Sequence, residues 1–490
     1  MQGCPQKGTI LRVGNTVLLF LAFLIPGPLL ASEMQSTSAS SLQELQTLTN
    51  ALYATIKNTN AISSTSGATT LMLHAPPSDS ALQLEIATKR GVLMKTIAKE
   101  DTATFLQNVM PSSIFAQLSP ASQAVSEKGV TLDGKTTVTY ADDFKNPKNS
   151  QLRYFVRANS TTYPLYLAPA PALSSGTEVR ITGYQIGEAL VADGGPAGVQ
   201  VLYQPILEAT GVQKTLVMLV TAPGMPAGLS PAEIKNIIFS GKFQAFYKEQ
   251  SYGKISFEGD VTDWITTAYD PNMCFSGSGI SITPEHPSIK NYIQTHGIDL
   301  SQYGRIVMLI NGLNYGCSFV GKSDVIIDGK NYRFSLTRTA PPPLNEVPYK
   351  NMSIFDYTLS HEMGHALGVW EANAWDCSGP SLDINCQHFE FGNTYDVMGF
   401  ASNGRHFNAF YKDLLGWIDP SSKVNITADG TYSLAPYEGN SGVRTAVITN
   451  PATPSALPFY VEFRQPLGFD SILPTSSAGL FFNQVVHAND

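Results

Sequence analysis

The spacing of apolar residues changes several times along the chain and divides it into segments of different predicted structure. The stretch SLQELQTLTNALYATIKN, residues 41–58, repeats its apolar residues at helical spacing and predicts one helix. Between residues 130 and 205, short alternating runs such as QLRYFVRA and TEVRITGYQIG are separated by Gly, Asp and Asn. Because a period of two is typical of strands, this part predicts a small all-β module.

From about residue 213 onward, the pattern predicts strands in alternation with helices. TLVMLVTA and RIVMLING are continuously apolar, which is typical of strands buried on both faces. Ser230 followed by Glu233 predicts a capping box at the start of a helix. DVIIDGKNYRFSLT predicts a hairpin about its central Asp-Gly pair. After Trp417 the pattern again predicts strands, as in GTYSLAPYE and FYVEFRQPLGF.

These patterns predict a multidomain α+β protein, with boundaries where composition and periodicity change. We expect a signal peptide at 1–31, a helical, Ser/Thr-rich leader or propeptide at 32–125, the all-β module at 126–205, an α/β domain at 213–422 and a β-rich C-terminal region at 423–490.

The N-terminus has the features of a secretory signal. Lys7 and Arg12 precede the apolar run Val17–Ile25, and small residues follow at Ala31 and Ser32. A membrane anchor is the alternative, but the run is short and a Pro-Gly-Pro sequence follows it. We therefore expect cleavage near Ala31, location outside the cytoplasm (secreted or at the cell surface) and no stable membrane span after cleavage.

Charge and cysteine content refine this expectation. Charged residues make up 14% of the chain and the formal net charge is -8, which argues against nucleic acid as a partner. Removal of the signal would leave four cysteines, an even number that suggests two disulfides in an exported protein. Three pairings are open. We favour Cys274–Cys317 and Cys377–Cys386, because the second closes a short loop beside the candidate site.

The stretch HEMGHALGVWEANAWDC, residues 361–377, carries the candidate chemistry. His361 and His365 lie four residues apart, so a helix places both imidazoles on one face, where both can reach one zinc ion at roughly 2.0–2.1 Å. Glu362 is placed to take a proton from a zinc-activated water molecule and to deliver it to the leaving amine. Ser353, with Asp356 three residues later, predicts the start of this helix. The alternative is a surface helix that merely contains these residues.

Further motifs give the stretch a family resemblance. HExxHxxG is followed by YDVMG and HFNAFYKDLLGW and is preceded by FYKEQSYGKISFEGDV. In this order, over about residues 213–420, the chain resembles the gametolysin-like branch of the metzincin zinc peptidases. The resemblance implies a metzincin-like α/β catalytic domain between the all-β module and the β-rich C-terminal region. It also implies that His361 and His365 bind zinc, that Glu362 is the general base, and that Met398 forms a hydrophobic floor below the metal.

The chain departs from this family at Glu371, which stands where a third histidine is usual. We expect Glu371 to be the third ligand, since carboxylates bind catalytic zinc elsewhere. It would leave a lower net charge on the site than a histidine. Two alternatives stay open: Glu371 is a solvated side chain, or another group completes the site, namely Asp376, His388 or His406. Glu390 on a later helix would be a different zinc-peptidase arrangement, but FEFGNTYD does not predict a helix.

We therefore expect a secreted zinc-dependent endopeptidase that acts on extracellular proteins or peptides. An extended substrate would pair with an edge strand within residues 317–337. Because Glu371 replaces a histidine, the alternative is a catalytically impaired metzincin-like binding or adhesion protein. Residues 32–212 contain no cysteine, which excludes a cysteine that silences the metal.

Overall fold

The computed structural model describes a large part of the chain, namely residues 10–13, 16–21, 39–64, 77–142, 150–159, 161–171, 173, 175–203, 209–225, 228–269, 282–313, 318–327, 330–343, 352–377, 386–399, 405–449 and 458–484. Contacts within the chain divide it into two compact units. The larger unit contains residues 1–30, 139–152 and 206–486, and the smaller one contains residues 31–138, 153–205 and 487–490.

Helices and strands alternate irregularly along the sequence. The helices are α1 (Ala39–Ser64), α2 (Pro77–Glu100), α3 (Thr102–Gln107), α4 (Ser112–Phe115), α5 (Pro120–Ala124), α6 (Pro231–Ser240), α7 (Lys242–Gln250), α8 (Pro287–Thr295), α9 (Ile354–Leu367) and α10 (Ala409–Leu414). The first strands are β1 (Ile10–Val13), β2 (Thr16–Leu21), β3 (Lys128–Asp142), β4 (Gln151–Ala158), β5 (Thr161–Ala168), β6 (Glu178–Ile186), β7 (Ala189–Asp193), β8 (Val199–Tyr203), β9 (Gly211–Thr221) and β10 (Ile255–Thr266). The later strands are β11 (Arg305–Ile310), β12 (Ser318–Ile327), β13 (Lys330–Thr339), β14 (Ala374–Asp376), β15 (Gln387–Phe389), β16 (Lys423–Ile426), β17 (Gly430–Leu434), β18 (Thr445–Ile448), β19 (Phe459–Arg464) and β20 (Gly479–Gln484).

The main sheet of the larger unit has the strand order β10-β9-β11-β13-β12, followed by the last residues of β3. Strands β10, β9, β11 and β13 are parallel to one another, and β12 is antiparallel to β13. Odd-numbered residues of β9 and β11 such as Val217 and Val307 enter one core with α9, and even-numbered ones such as Met218 and Met308 enter another with α8. This burial on both faces is why these strands are continuously apolar, as the sequence predicts.

The capping box and the hairpin that the sequence predicts in this unit are confirmed. Helix α6 begins with the capping box, in which the Ser230 side chain accepts from the Glu233 backbone and the Glu233 carboxylate accepts from the Ser230 backbone. Strands β12 and β13 form the predicted hairpin, with Ile327 opposite Lys330. Helix α8 was not predicted by the sequence pattern.

The smaller unit joins helices and strands in shared cores. The first part of β3 pairs with β6, β4 pairs with β5, and β7 lies between β5 and β6. Met94 and Ile97 of α2 pack in one cluster with Ile186 of β6 and Val191 of β7. Helical and β segments on either side of the predicted boundary at residue 125 therefore share a core.

The C-terminal part of the larger unit is rich in strands, as predicted. Strands β16, β18, β19 and β20 form one sheet, and β17 pairs with the hairpin β1–β2, which lies in the segment predicted as the signal peptide. The predicted cleavage near Ala31 lies outside the described residues and stays a prediction. None of the helices that the structure describes is long and apolar enough to cross a membrane. The fold is thus a mixed one of helices and several sheets.

Candidate metal centre

Helix α9 carries the HEMGH motif and is buried along almost its whole length. It begins at Ser353, whose side chain accepts a hydrogen bond from the Asp356 backbone at 3.0 Å, as the sequence predicts. It ends at Gly368, whose φ of 110° is a left-handed conformation that glycine adopts most readily. Both ends of the helix are therefore fixed by local sequence, and its polar motif is held inside the protein.

Backbone carbonyl groups orient the two histidines. The Nδ1 atom of His361 lies 2.8 Å from the Val397 carbonyl oxygen, and that of His365 lies 2.9 Å from the Val369 carbonyl oxygen. Because a carbonyl can only accept, each Nδ1 carries a proton, and Nε2 is the ring atom through which either histidine would bind a metal. The two Nε2 atoms are 3.2 Å apart.

Two carboxylates approach the same point as the imidazoles. His365 Nε2 lies 2.9 Å from Glu371 Oε1 and 3.3 Å from Asp142 Oδ2. His361 Nε2 lies 3.4 Å from Glu371 Oε2 and 3.6 Å from Asp142 Oδ2. Ligands at 2.0–2.1 Å from a tetrahedral zinc ion are separated from one another by about 3.4 Å. The spacing of these donor atoms therefore fits four ligands around one ion.

Three carboxylate oxygens of this group have no donor in the described part of the chain other than the imidazoles that they face. Both oxygens of Glu371 and Oδ2 of Asp142 are buried and make no further hydrogen bond. A buried carboxylate with so few donors is costly. A cation at the point where the four side chains meet would satisfy these oxygens, so the group could hold a metal ion.

The electrostatics of the group reflect the close approach of opposite charges. Burial alone would lower the pKa of His361 and His365, but the Glu371 carboxylate, with Asp142, raises both to about 10. Burial opposes ionisation of Asp142 as well, but the two imidazoles hold its pKa below the usual value. Protons and a metal ion would therefore compete for the same Nε2 atoms.

Glu362 lies beside the group on the same helix. Its side chain is completely buried, and neither carboxylate oxygen has a hydrogen-bond partner among the residues described. Burial, and next the charge of Asp142, raise its pKa well above the usual value. The Glu362 side chain is therefore held inside the protein, on the helix that carries both histidines.

Met398 packs directly against the helix between the two histidines. An added Cβ at Gly364 would lie 2.4 Å from the Met398 Sδ atom, so the motif admits only glycine there without displacement of the methionine. The Met398 loop is held by Asp396, which accepts hydrogen bonds from the Met398 backbone at 2.8 Å and the Asn408 backbone at 2.6 Å. Met398 thus lies against the segment of the helix that carries both histidines, and its role below a metal stays a prediction.

The expectation that Glu371 is the third metal ligand stays a prediction, and its alternatives have different outcomes. A solvated Glu371 is wrong, because only 9% of its side chain is exposed and its carboxylate faces both imidazoles. None of the other candidates belongs to the four-residue group, namely Asp376, His388, His406 and Glu390. His406 instead places its Nε2 atom 2.8 Å from Glu249 and its Nδ1 atom 2.8 Å from Lys412.

Sequence reasoning missed Asp142. This residue ends strand β3 and reaches the site because Ser318 pairs with it across the sheet. The alternation in VTYAD places Tyr140 and Asp142 on one face of the strand, but alternation does not reveal what that face contacts.

A disulfide closes the loop that follows Glu371. Cys377 and Cys386 are bonded, as predicted, and the short strands β14 and β15 pair beside them. The second predicted disulfide, Cys274–Cys317, lies outside the described residues.

Comparisons with known proteins add no relatives. No model of a known protein family matches the chain, and no curated protein matches it.

Proposed function

We propose that this chain is an exported, zinc-dependent endopeptidase. The observation that carries the proposal is the convergence of His361, His365 and Glu371 on one point, with Glu362 beside them on the same buried helix. The position of Met398 behind Gly364 supports the metzincin-like arrangement. The Cys377–Cys386 disulfide supports export, because structural disulfides are typical of oxidising compartments.

The donor set favours zinc over calcium and magnesium. Two imidazoles and one carboxylate form a known set for catalytic zinc, and the donor spacing suits a tetrahedral ion. Calcium and magnesium prefer sites made of oxygen donors alone. Bound zinc would supply Lewis acidity toward a water molecule and toward the scissile carbonyl group.

Within this proposal, Glu362 moves the proton. Its buried carboxylate would accept a proton from the attacking water and donate it to the leaving amine. The carbonyl groups of Val397 and Val369 hold the imidazoles in the tautomer that metal binding through Nε2 requires.

An extended peptide would bind along β12. This strand lies beside β13, and its first residues, Ser318–Gly321, pair with the end of β3. Without that pairing it would be an edge strand, which offers backbone donors and acceptors to a peptide. No side chain of β12 is needed for this pairing, so we expect the main chain of the substrate to supply much of the binding.

Hydrolysis of an unfolded protein substrate by the zinc-loaded chain tests the proposal. Because Asp142 fills a fourth position in the group, the test compares the unaltered chain with Asp142→Ala and with Asp142→Ala/Glu362→Gln. We expect Asp142→Ala to cleave, and the added Glu362→Gln to lower the rate by about 10²–10⁴-fold, the usual contribution of a general base. Circular dichroism and zinc content are measured on every variant.

A folded, zinc-loaded Asp142→Ala chain that cleaves nothing would contradict the proposal. The second candidate, a metal-binding protein without catalysis that acts in binding or adhesion, would then take its place. One observation favours this candidate: four protein donors surround the point, as in structural zinc sites, whereas catalytic sites usually have three.

A further inference from the structure

We propose that Thr139–Asp142 is an internal inhibitor of the metal centre, in which the backbone of the segment occupies the place of a peptide substrate and Asp142 closes the fourth position of the metal. This inference rests on the proposed function and concerns the regulation of the same site.

The first observation is the pairing of the segment with β12. Asp142 lies opposite Ser318, and Thr139 lies opposite Gly321, so four residues add an antiparallel strand to the sheet. This is the mode in which an extended peptide binds to a sheet edge. The chain itself therefore fills the edge on which we expect a substrate.

The second observation is the direction of the side chains. Residues two apart in a strand lie on the same face, and both Tyr140 and Asp142 contact the histidines. The ring of Tyr140 stacks on that of His365 with 3.9 Å between ring centroids and an angle of 8°. Ala141, between them, is buried in the apolar core on the opposite face. The segment is thus fitted to the site by two side chains and not by its backbone alone.

The third observation is the coordination that results. Catalytic zinc sites keep one position open for water or substrate. Here the Asp142 carboxylate is 2% exposed and lies 3.3 and 3.6 Å from the two Nε2 atoms, within the spacing of a fourth ligand. A carboxylate in that place excludes a water molecule and a scissile carbonyl group from the metal.

Together these contacts make the intact chain latent. A cysteine cannot serve this purpose, because none is present in residues 32–212. In place of a cysteine, Asp142 supplies the negatively charged ligand. Withdrawal of the segment would open the fourth metal position and the edge of β12 at once, so a single event would relieve both obstacles.

Binding of acetohydroxamate, a small bidentate zinc ligand, tests the inference independently of catalysis. Calorimetry compares the zinc-loaded full chain with Asp142→Ala and with the isosteric Asp142→Asn, which guards against a folding defect of the alanine variant. The matched control is Asp133→Ala, because Asp133 lies on the same strand and pairs with Arg180 at the surface. If Asp142 occupies the metal nine times in ten, the variants should bind acetohydroxamate about 10-fold more tightly.

Hydrolysis of the unfolded substrate should rise in parallel by about 10-fold, while the control keeps both values of the unaltered chain. Equal acetohydroxamate affinity in all chains, or loss of zinc from both Asp142 variants, would overturn the inference and assign Asp142 to a structural role. Tighter acetohydroxamate binding without any hydrolysis would support the closed position and reject the peptidase. Equal hydrolysis by all chains would support the peptidase and reject the inhibitor.

Discussion

Two groups of buried polar side chains in the larger unit differ in how their charges are balanced. One is the candidate metal centre. The other we call the arginine cluster; its members are Arg464, Glu462, Asp470, His406 and Lys412. Arg464 donates to Glu462 at 2.7 Å, to the His406 carbonyl at 3.2 Å and to Asp470 at 3.4 Å. Each of its three nitrogen atoms therefore has a partner within the protein.

His406, in the arginine cluster, also differs from the two histidines of the candidate metal centre in the partners of its ring nitrogens. Both ring nitrogens of His406 contact side chains, Glu249 on one side and Lys412 on the other. Burial, with the charges of Lys412 and Arg464, lowers its pKa well below the usual value. In the metal centre, by contrast, each histidine uses one nitrogen for a carbonyl and leaves the other facing its fellow donors.

The difference separates structural polar groups from ligand sites. Buried charges that each have an oppositely charged partner hold elements of a fold together, whereas several metal-binding atoms that converge on one point can be bridged by a bound cation. Both groups are buried and both contain histidine, so neither burial nor histidine content distinguishes one from the other.

The largest expected effect is on the arginine cluster. Arg464→Ala would leave Glu462 and Asp470 buried without their counter-charge, and removal of one partner from such a network costs about 3–5 kcal/mol. We expect denaturant unfolding to show a loss of this size in the free energy of unfolding, with or without zinc. Arg180→Ala, which breaks an exposed pair with Asp133, should cost no more than about 1 kcal/mol. Equal losses of unfolding free energy in Arg464→Ala and Arg180→Ala would show that the arginine cluster stabilises the fold no more than an exposed ion pair does.

The next effect is on the metal centre and depends on zinc. At a free zinc concentration 100 times the Kd, binding should stabilise the unaltered chain by about 2.7 kcal/mol. If Glu371→Gln weakens zinc binding about 100-fold, only about 0.4 kcal/mol of this should remain. Thermal unfolding in zinc buffers measures the difference. Glu390→Gln is the matched control, since Glu390 lies outside the four-residue group; an unchanged zinc response in Glu371→Gln would show that Glu371 is not a ligand.

The smallest effect, taken per pH unit, concerns Lys412 and pH. Burial, and next the charge of Arg464, lower the pKa of Lys412 to about 7. Between that value and the usual one, the unfolded chain binds a proton that the folded chain does not, so stability should rise with pH. The slope from this group is at most about 1.4 kcal/mol per pH unit. Lys412→Met should remove it, as seen in the difference between the two unfolding curves over pH 7.5–9.5. Parallel pH profiles would show that Lys412 stays protonated in the fold.

Much of the site follows from local sequence, and one residue does not. Helix α9 could be placed from Ser353, Asp356 and Gly368, because caps act within a few residues of the helix ends. Asp142 could not, because its role depends on the register between β3 and β12, which belong to distant parts of the sequence.

The arginine cluster could not be predicted from the sequence, for a related reason. HFNAFYKDLLGW predicts a loop histidine followed by an amphipathic helix, and such a pattern places a lysine at the surface. In the structure Lys412 is buried, with the rings of Tyr252 and Tyr437 at 4.5 and 4.3 Å from its nitrogen. Those two aromatic residues come from other segments, so the burial is a property of the tertiary fold.

The four residues that cover β12 have a further consequence for the protein in solution. A free sheet edge exposes unpaired backbone groups and invites association with the edges of other molecules. While Thr139–Asp142 is in place, the backbone of Ser318–Gly321 is paired and offers no such template. The strand that we propose as the inhibitor would thereby also protect this part of β12 from edge-to-edge association, and its withdrawal would expose the edge to other chains as well as to substrate.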